Sequence, residues 1–301
     1  MPTTTTPTDA ELARSLEGDF TSAHADVNGV RLHHVSGGRG EPLVLLAGWP
    51  HTWWEYRKVM PALAAHYRVI VVDLRGMGGS DKPDSGYDKK TMARDIYELL
   101  RHLGLESVNL VGHDIGAMVA YALAANHPEV VRKLMLLDVA HPDENFNEMR
   151  LLPQSTAPAD AAGYYLWWFA FNQVTELPEK LLVGRFRHLV DYFADLLAEV
   201  PEAIDEQARQ VYTHAYDSAD GIRAGNGWYQ AFGQDVADLK TYQPVTMPLL
   251  ALGGAANYSY LKELLPRHGT NVSVELVADS GHYLPEEQPE TVVRHITGFF
   301  G

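Results

Sequence analysis

The sequence predicts an α/β protein: a mostly parallel sheet covered by helices on both faces, interrupted by an inserted helical block. Three observations predict it. Short apolar runs alternate with helix-length segments from residue 43 to residue 139. The stretch 141–236 holds no run of strand character and is rich in aromatics and helix formers. The alternation then resumes at MPLLALGG, residues 247–254. Strand–helix alternation of this kind builds a parallel sheet with both faces buried.

Each element follows in order. DVNGVRLHHVSGG carries an Asn-Gly pair between two short alternating runs, which predicts an antiparallel hairpin at the sheet edge. LVLLAG (43–48) reads as a buried strand, and TWWEYRKVMPALAAH as a helix after it. YRVIVVD (67–73) is a strand, RGMGGSD a glycine-rich loop, and a helix runs from about Lys90 to Leu103. SVNLVGH (107–113), IGAMVAYALAANH and VRKLMLLDV (131–139) read as strand, helix and strand. The inserted block contains YYLWWFAFNQ, KLLVGRFRHLVDYFADLLAEV, DEQARQVY and GNGWYQAFGQD. NVSVELV (271–277) is the last strand, and EQPETVVRHITGFF the closing helix. The expected organisation is a flexible tail over 1–18, a core domain from 19–140 and 237–301, and a helical cap over 141–236. The first eight residues, rich in Thr and Pro, are read as disordered.

The composition narrows the function. A formal charge of −15 argues against nucleic acid, polyanionic substrates and anionic membranes. The absence of cysteine removes disulfides, thiolate catalysis and Cys-ligated zinc. The N-terminus lacks the basic and apolar regions of a secretory signal, and no apolar run reaches the roughly 18 residues a membrane span needs. A cytoplasmic location is the default expectation.

LVGHDIGAM (110–118) has the outline of a nucleophile elbow, with Asp114 in place of serine. Small neighbours at Gly112, Gly116 and Ala117 suit a sharp strand-to-helix turn. Such a turn raises a side chain above the sheet at a helix N-terminus, where negative charge is favoured. The alternative is an ordinary N-cap aspartate. A carboxylate nucleophile suits electrophilic sp3 carbon, because displacement there leaves an ester on the enzyme. The ester must then be hydrolysed, which calls for a general base. His282, in the loop ADSGHYLPEEQPE, is the best placed of the 14 histidines. The alternative is a surface loop histidine. The base needs a carboxylate to fix its tautomer. The loop GGAANYSY (253–260) holds none, whereas Asp138 closes an apolar strand at the rim that carries the elbow. The alternative is a strand-end turn aspartate.

Together, AGWP (47–50), DLRGMGGSD (73–81), GHDIGA (112–117), Asp138 and SGHYLPEEQPE (280–290) resemble the α/β-hydrolases of the epoxide hydrolase and dehalogenase group. The resemblance spans about Asp19 to Phe300. It implies an eight-stranded α/β-hydrolase fold, an Asp114–His282–Asp138 triad, and an oxyanion hole from the backbone N–H groups of Trp49 and Ile115. It also implies a cis Trp49–Pro50 bond. One departure is Ala47, where the family usually has histidine. DLRGMGGSD reads as structural, with Asp73, Arg75 and Ser80 bracing loops behind the elbow. Glu286 and Glu287 read as a first-turn acidic pair favoured by the helix dipole.

Ile115 and Met118 stand where fluoroacetate-type dehalogenases carry arginines, so a carboxylate clamp is missing. Ile115 also cannot donate a hydrogen bond to halide, as a tryptophan there would. By resemblance, Trp168 and Tyr229 occupy the two cap donor positions, with Trp167 beside them. Tyrosine can give up a proton, whereas indole only donates a hydrogen bond. The Trp-Trp-Tyr combination is similar to epoxide hydrolases of aromatic polyketide pathways of the kinamycin type. Core packing is the alternative for all three residues. The expected reaction is epoxide opening to a vicinal diol, with a hydrophobic epoxide and water as partners. Neither metal nor organic cofactor is expected, and a homodimer is left open. The alternatives are a dehalogenase acting on a neutral alkyl halide and a catalytically silent binding protein.

Overall fold

The computed structural model describes residues 6–149, 151–152 and 166–301. Eight strands form one sheet: β1 (Thr21–Val27), β2 (Val30–Gly37), β3 (Glu41–Leu46), β4 (Tyr67–Val72), β5 (Val108–His113), β6 (Val131–Leu137), β7 (Leu249–Gly253) and β8 (Val272–Leu276). Their order is β1-β2-β4-β3-β5-β6-β7-β8. β1 and β2 form an antiparallel hairpin, β2 pairs antiparallel with β4, and all other pairs are parallel. The hairpin turns at Asn28 (φ 46°) and Gly29 (φ 77°), the two positive φ values that a tight primed turn requires. All six residues of central β5 are buried, so the sheet is covered on both faces there.

The helices preceding the insertion are α1 (Asp9–Ser15), α2 (Met60–Ala64), α3 (Lys89–His102) and α4 (Ile115–Asn126). α3 begins where the Asp88 side chain accepts the Thr91 N–H at 2.8 Å. α4 is apolar on every side, and Ile115 through Ala124 are all buried, as such a helix demands. Between β6 and β7 the described elements are helical: α5 (Trp167–Phe171), α6 (Leu177–Leu182), α7 (Arg187–Leu197), α8 (Glu206–Tyr216), α9 (Ala219–Gln230) and α10 (Phe232–Leu239), with short 3-10 turns. α11 (Tyr258–Leu264), α12 (Leu284–Glu287) and α13 (Pro289–Phe300) complete the chain.

Three expectations need correction. The predicted flexible tail over 1–18 contains α1. Thr8 and Glu11 form a reciprocal capping box, Leu12 and Ala13 are buried, and Asp9 accepts the Trp53 indole N–H at 2.7 Å. Residues 1–5 lie outside the described residues. The single helix expected over TWWEYRKVMPALAAH is a 3-10 turn, Trp53–Tyr56, followed by α2. The inserted helices run on to Leu239, past the predicted boundary at 236. Tyr164 and Tyr165 of the predicted aromatic stretch lie outside the described residues.

The inserted helices are anchored on the core by buried polar contacts. Lys89 Nζ pairs with Asp235 at 2.7 Å and donates to the Trp228 carbonyl at 2.7 Å. Trp228 Nε1 donates to the Arg75 carbonyl at 3.0 Å, and Tyr216 Oη to the His51 carbonyl at 2.7 Å. The predicted bracing role of DLRGMGGSD agrees with the contacts. Asp73 accepts from His33 Nδ1 at 2.7 Å, Trp53 N at 2.8 Å and Gly79 N at 3.0 Å.

Candidate active site

Asp114 sits at the junction of β5 and α4 with φ 50° and ψ −121°. A non-glycine residue in this region costs about 1–3 kcal/mol, and its surroundings must hold it there. The flanking glycines make the turn possible. A Cβ on Gly112 would strike the Gly116 carbonyl, and one on Gly116 would strike the Leu46 carbonyl. The turn carries the Asp114 side chain to the rim of the sheet, where Trp49 N–H donates to Oδ1 at 3.0 Å. Ile115 opens α4, so its N–H belongs to the first helical turn, which has no partner within the helix. Trp49–Pro50 is cis, and Ala47 is fully buried.

Asp138 closes β6 with φ 63°, a second carboxylate at a strand end in the left-handed region. It brings the base into place. His282 Nδ1 donates to Asp138 Oδ2 at 2.7 Å, and His282 Nε2 faces Asp114 Oδ2 at 3.5 Å. Asp138 also accepts the Gly254 N–H at 2.8 Å and the Asn257 side-chain amide at 2.6 Å. The loop that lacks a carboxylate therefore contributes donors to the acid on the neighbouring strand.

The electrostatics follow from this packing. Burial alone would lower the His282 imidazolium, but the Asp114 and Asp138 carboxylates overcome it and push the group up to about 10. Burial alone would raise the Asp114 carboxyl, yet His282, His113 and the Trp49 N–H bring it below its ordinary value. The resting site is thus an ion pair. A raised His282 contributes stability in full below its ordinary value of 6.5 and loses it as pH climbs towards about 10. Urea melts across that range should show wild type losing stability, with a flatter alkaline limb in His282→Gln.

The pocket above Asp114 encloses about 160 Å³. Its walls are apolar and aromatic, with Trp49, Phe146, Phe169, Phe193, Leu197 and Phe232 among them. Tyr229 and Trp168, both almost fully buried, line it as well. Tyr229 packs edge-on against Trp49 with ring centres 5.4 Å apart, and Phe193 lies 5.1 Å from Trp168. α5 and α9 are tied together: Gln173 donates to the Tyr229 carbonyl at 2.8 Å, and Gln230 to the Asn172 carbonyl at 3.1 Å. Burial, and then the nearby Asp114 charge, push the Tyr229 hydroxyl well above its ordinary value, so it keeps its proton at neutral pH.

Trp167 is corrected. It is not among the pocket-lining residues, and its indole N–H donates to Tyr192 Oη at 3.1 Å on the outer side of the insertion. Trp167 is half-buried and stacks on Phe193; Trp167→Phe keeps an aromatic ring there and should leave turnover within about twofold of wild type in steady-state assays.

Several residues of the site were missed in the sequence. His113, fully buried, donates from Nε2 to the His282 carbonyl at 2.8 Å, while its Nδ1 meets Glu55 Oε2 at 3.2 Å. Burial would lower His113, but Glu55 outweighs it and raises the group. His51 also faces Glu55 at 3.3 Å, stacked between Tyr212 and Tyr283. The signal available was His113 itself, one residue before the nucleophile. Glu286 and Glu287 do lie in the first turn of α12, as expected, but both are buried and bonded to other groups as well. Glu286 is buried against Arg57, with Tyr212 Oη donating at 2.6 Å, and Glu287 accepts only backbone N–H groups.

Comparison with known proteins places the fold in a family. The family model of the alpha/beta hydrolase fold matches residues 41–289. A soluble epoxide hydrolase of Corynebacterium sp. (strain C12) is 34% identical over 289 residues, covering 94% of this chain and 98% of that protein. The solved structure of the epoxide hydrolase CorEH without ligand superposes with a TM-score of 0.84 at 32% identity, covering 94% of this chain and 99% of that one. A fluoroacetate dehalogenase of Burkholderia sp. is 37% identical over 168 residues, covering 54% of this chain and 53% of that protein. The chain belongs to the α/β-hydrolase family. It is an enzyme of the hydrolase class with epoxide hydrolases among its relatives. Among the described residues, no helix is long and apolar enough to cross a membrane.

Proposed function

We propose that the protein is an epoxide hydrolase that opens a hydrophobic epoxide to a vicinal diol through an ester on Asp114. One observation carries the reading. A carboxylate, not a serine, stands 3.5 Å from His282 Nε2, in a pocket that Tyr229 and Trp168 also line. The Asp114 carboxylate attacks a ring carbon, the C–O bond of the ring breaks, and Tyr229 gives its proton to the ring oxygen. Trp168 N–H supports that oxygen as a hydrogen-bond donor.

Ester formation removes the Asp114 charge, one of the two that hold His282 protonated. The imidazolium then yields its proton to the Tyr229 phenolate, which leaves His282 neutral as the base is needed. His282, oriented by Asp138, takes a proton from water, and the hydroxide attacks the ester carbonyl. The N–H groups of Trp49 and Ile115 receive the oxyanion. Collapse expels the diol oxygen, which takes the proton from His282. Asp114, left as the acid, returns its proton to His282 and restores the ion pair. The net change is epoxide plus water to diol.

Tyr229→Phe should lower kcat on styrene oxide by about 100-fold, the usual scale for a lost general acid. A loss under threefold would remove Tyr229 from the mechanism. The narrower substrate we propose is a polycyclic epoxide of aromatic polyketide biosynthesis, which the aromatic lining supports. Competition against styrene oxide by such compounds tests it.

A dehalogenase reading is favoured by the fluoroacetate dehalogenase relative. The pocket lining contains no arginine or lysine among the described residues, and Ile115 and Met118 are apolar. A haloacid carboxylate would therefore lack a guanidinium clamp, and the His282 charge already faces Asp114 and Asp138. Trp167 does not line the pocket, so of the expected tryptophan pair a neutral alkyl halide would meet Trp168 alone. Bromide release from 1-bromobutane at a rate matching diol formation would favour this second reading.

A further inference from the structure

The sequence singles out two adjacent glutamates after the base, and the mechanism uses neither. They do different things. Glu286 binds Arg57, Lys58 and Tyr212, and so holds α8 and the Trp53–Tyr56 turn together. Glu287 Oε2 accepts the N–H groups of Glu199 at 2.7 Å, Val200 at 3.0 Å and Gly281 at 3.0 Å, and its Oε1 accepts the Tyr283 N–H at 2.9 Å. Two of these donors directly flank His282, and the other two follow the C-cap of α7, Ala198. The His282 N–H itself donates to the Leu197 carbonyl at 2.8 Å.

We infer that Glu287 is a positioning residue: it bolts the loop carrying the general base to the C-terminal end of α7, the inserted helix that lines the pocket. The inference rests on the epoxide hydrolase reading. Four N–H groups around one buried carboxylate make charge-assisted bonds, which are shorter and stronger than neutral ones. A second observation points to the same junction. A Cβ on Gly281 would fall on the Leu197 carbonyl and the Glu199 N–H, so only glycine lets the two segments meet. α7 places Leu197 and Phe193 in the pocket wall, while its end holds His282. The helix that touches substrate is thus the helix against which the base is set. Asp114 is positioned separately, by β5 and α4. Loosening the Glu287 junction therefore displaces the base and leaves the nucleophile in place.

The test separates the two half-reactions. Wild type, Glu287→Gln and Gly281→Ala are mixed with styrene oxide, quenched on the millisecond scale and weighed as intact protein, alongside steady-state kinetics. Glu287→Gln should lower kcat by about 10- to 100-fold, the scale of a misplaced catalytic group. KM should fall in proportion, and alkylated Asp114 should accumulate. Gly281→Ala should show the same signature, because it parts the same two segments without touching Glu287, and it carries the test if Glu287→Gln does not fold. Unchanged kinetics in folded Glu287→Gln would overturn the inference. So would a loss of kcat/KM equal to that of kcat with no accumulation of ester, the mark of a merely structural role. Alkylation of wild type without accumulation in either variant overturns this inference alone. If neither wild type nor His282→Gln is ever alkylated, the epoxide reading fails and this inference falls with it.

Discussion

Asp114→Asn should abolish diol formation, with kcat/KM lower by about 10⁴-fold or more, the scale seen when a nucleophile acting within a concerted set is removed. The amide is nearly isosteric. Trp49 N–H can still donate to the side-chain oxygen, so the fold and the pocket should persist. What is lost is the negative oxygen that forms the bond to carbon. Intact mass must confirm that the amide has not been hydrolysed back to the acid, because His282 stands beside the side chain and could activate water against it. Retained turnover with the amide intact would exclude Asp114 as nucleophile and leave direct attack by water.

His282→Gln should separate the two steps. At pH 8 Asp114 remains ionised, held by the Trp49 N–H, and can still open the ring. Water is no longer deprotonated, so the ester persists and steady-state turnover falls by about 10³-fold or more, near the upper end of general-base effects. The protein should gain the full mass of the epoxide, mapped to Asp114. A gain equal to the substrate less HX, seen with an alkyl halide instead, would move the assignment to the dehalogenase. Glutamine is also uncharged at every pH, so the alkaline loss of stability tied to the raised His282 should disappear in the same variant.

Much of this site was legible in the sequence because its signals are local. Gly112, Gly116 and Ala117 around Asp114 describe a backbone too crowded for side chains, and that crowding is what the structure shows. The strands were legible from apolar runs with β-branched residues, and the hairpin from Asn28-Gly29. Asp138 was reached by elimination, since the loop after β7 offers no carboxylate. The structure adds that Asn257 and Gly254 of that loop donate to Asp138.

What was not legible depends on direction or on distance along the chain. Trp167 and Trp168 are adjacent on one short helix, and successive helical side chains point about 100° apart, so the two indoles face different directions: Trp168 and its neighbour Phe169 line the pocket and Trp167 does not. The tryptophan doublet does not say which of the two lines it. Glu287 looked like a dipole partner because its donors at Glu199 and Val200 belong to a helix end far away in sequence. Glu55 and His113 meet only in the folded chain. The Thr8–Glu11 spacing of a capping box is present in the sequence, but the tail was read from its Thr and Pro content alone.

The most direct test of the central claim, a covalent ester on Asp114, is a single turnover in H₂¹⁸O with enzyme in excess of styrene oxide. The new oxygen of the first diol should then come from the Asp114 carboxylate. The diol should carry no ¹⁸O, and the label should appear in the peptide containing Asp114. Label in the diol from the first turnover, with Asp114 unlabelled, would mean that water attacks the epoxide directly, and would contradict the ester.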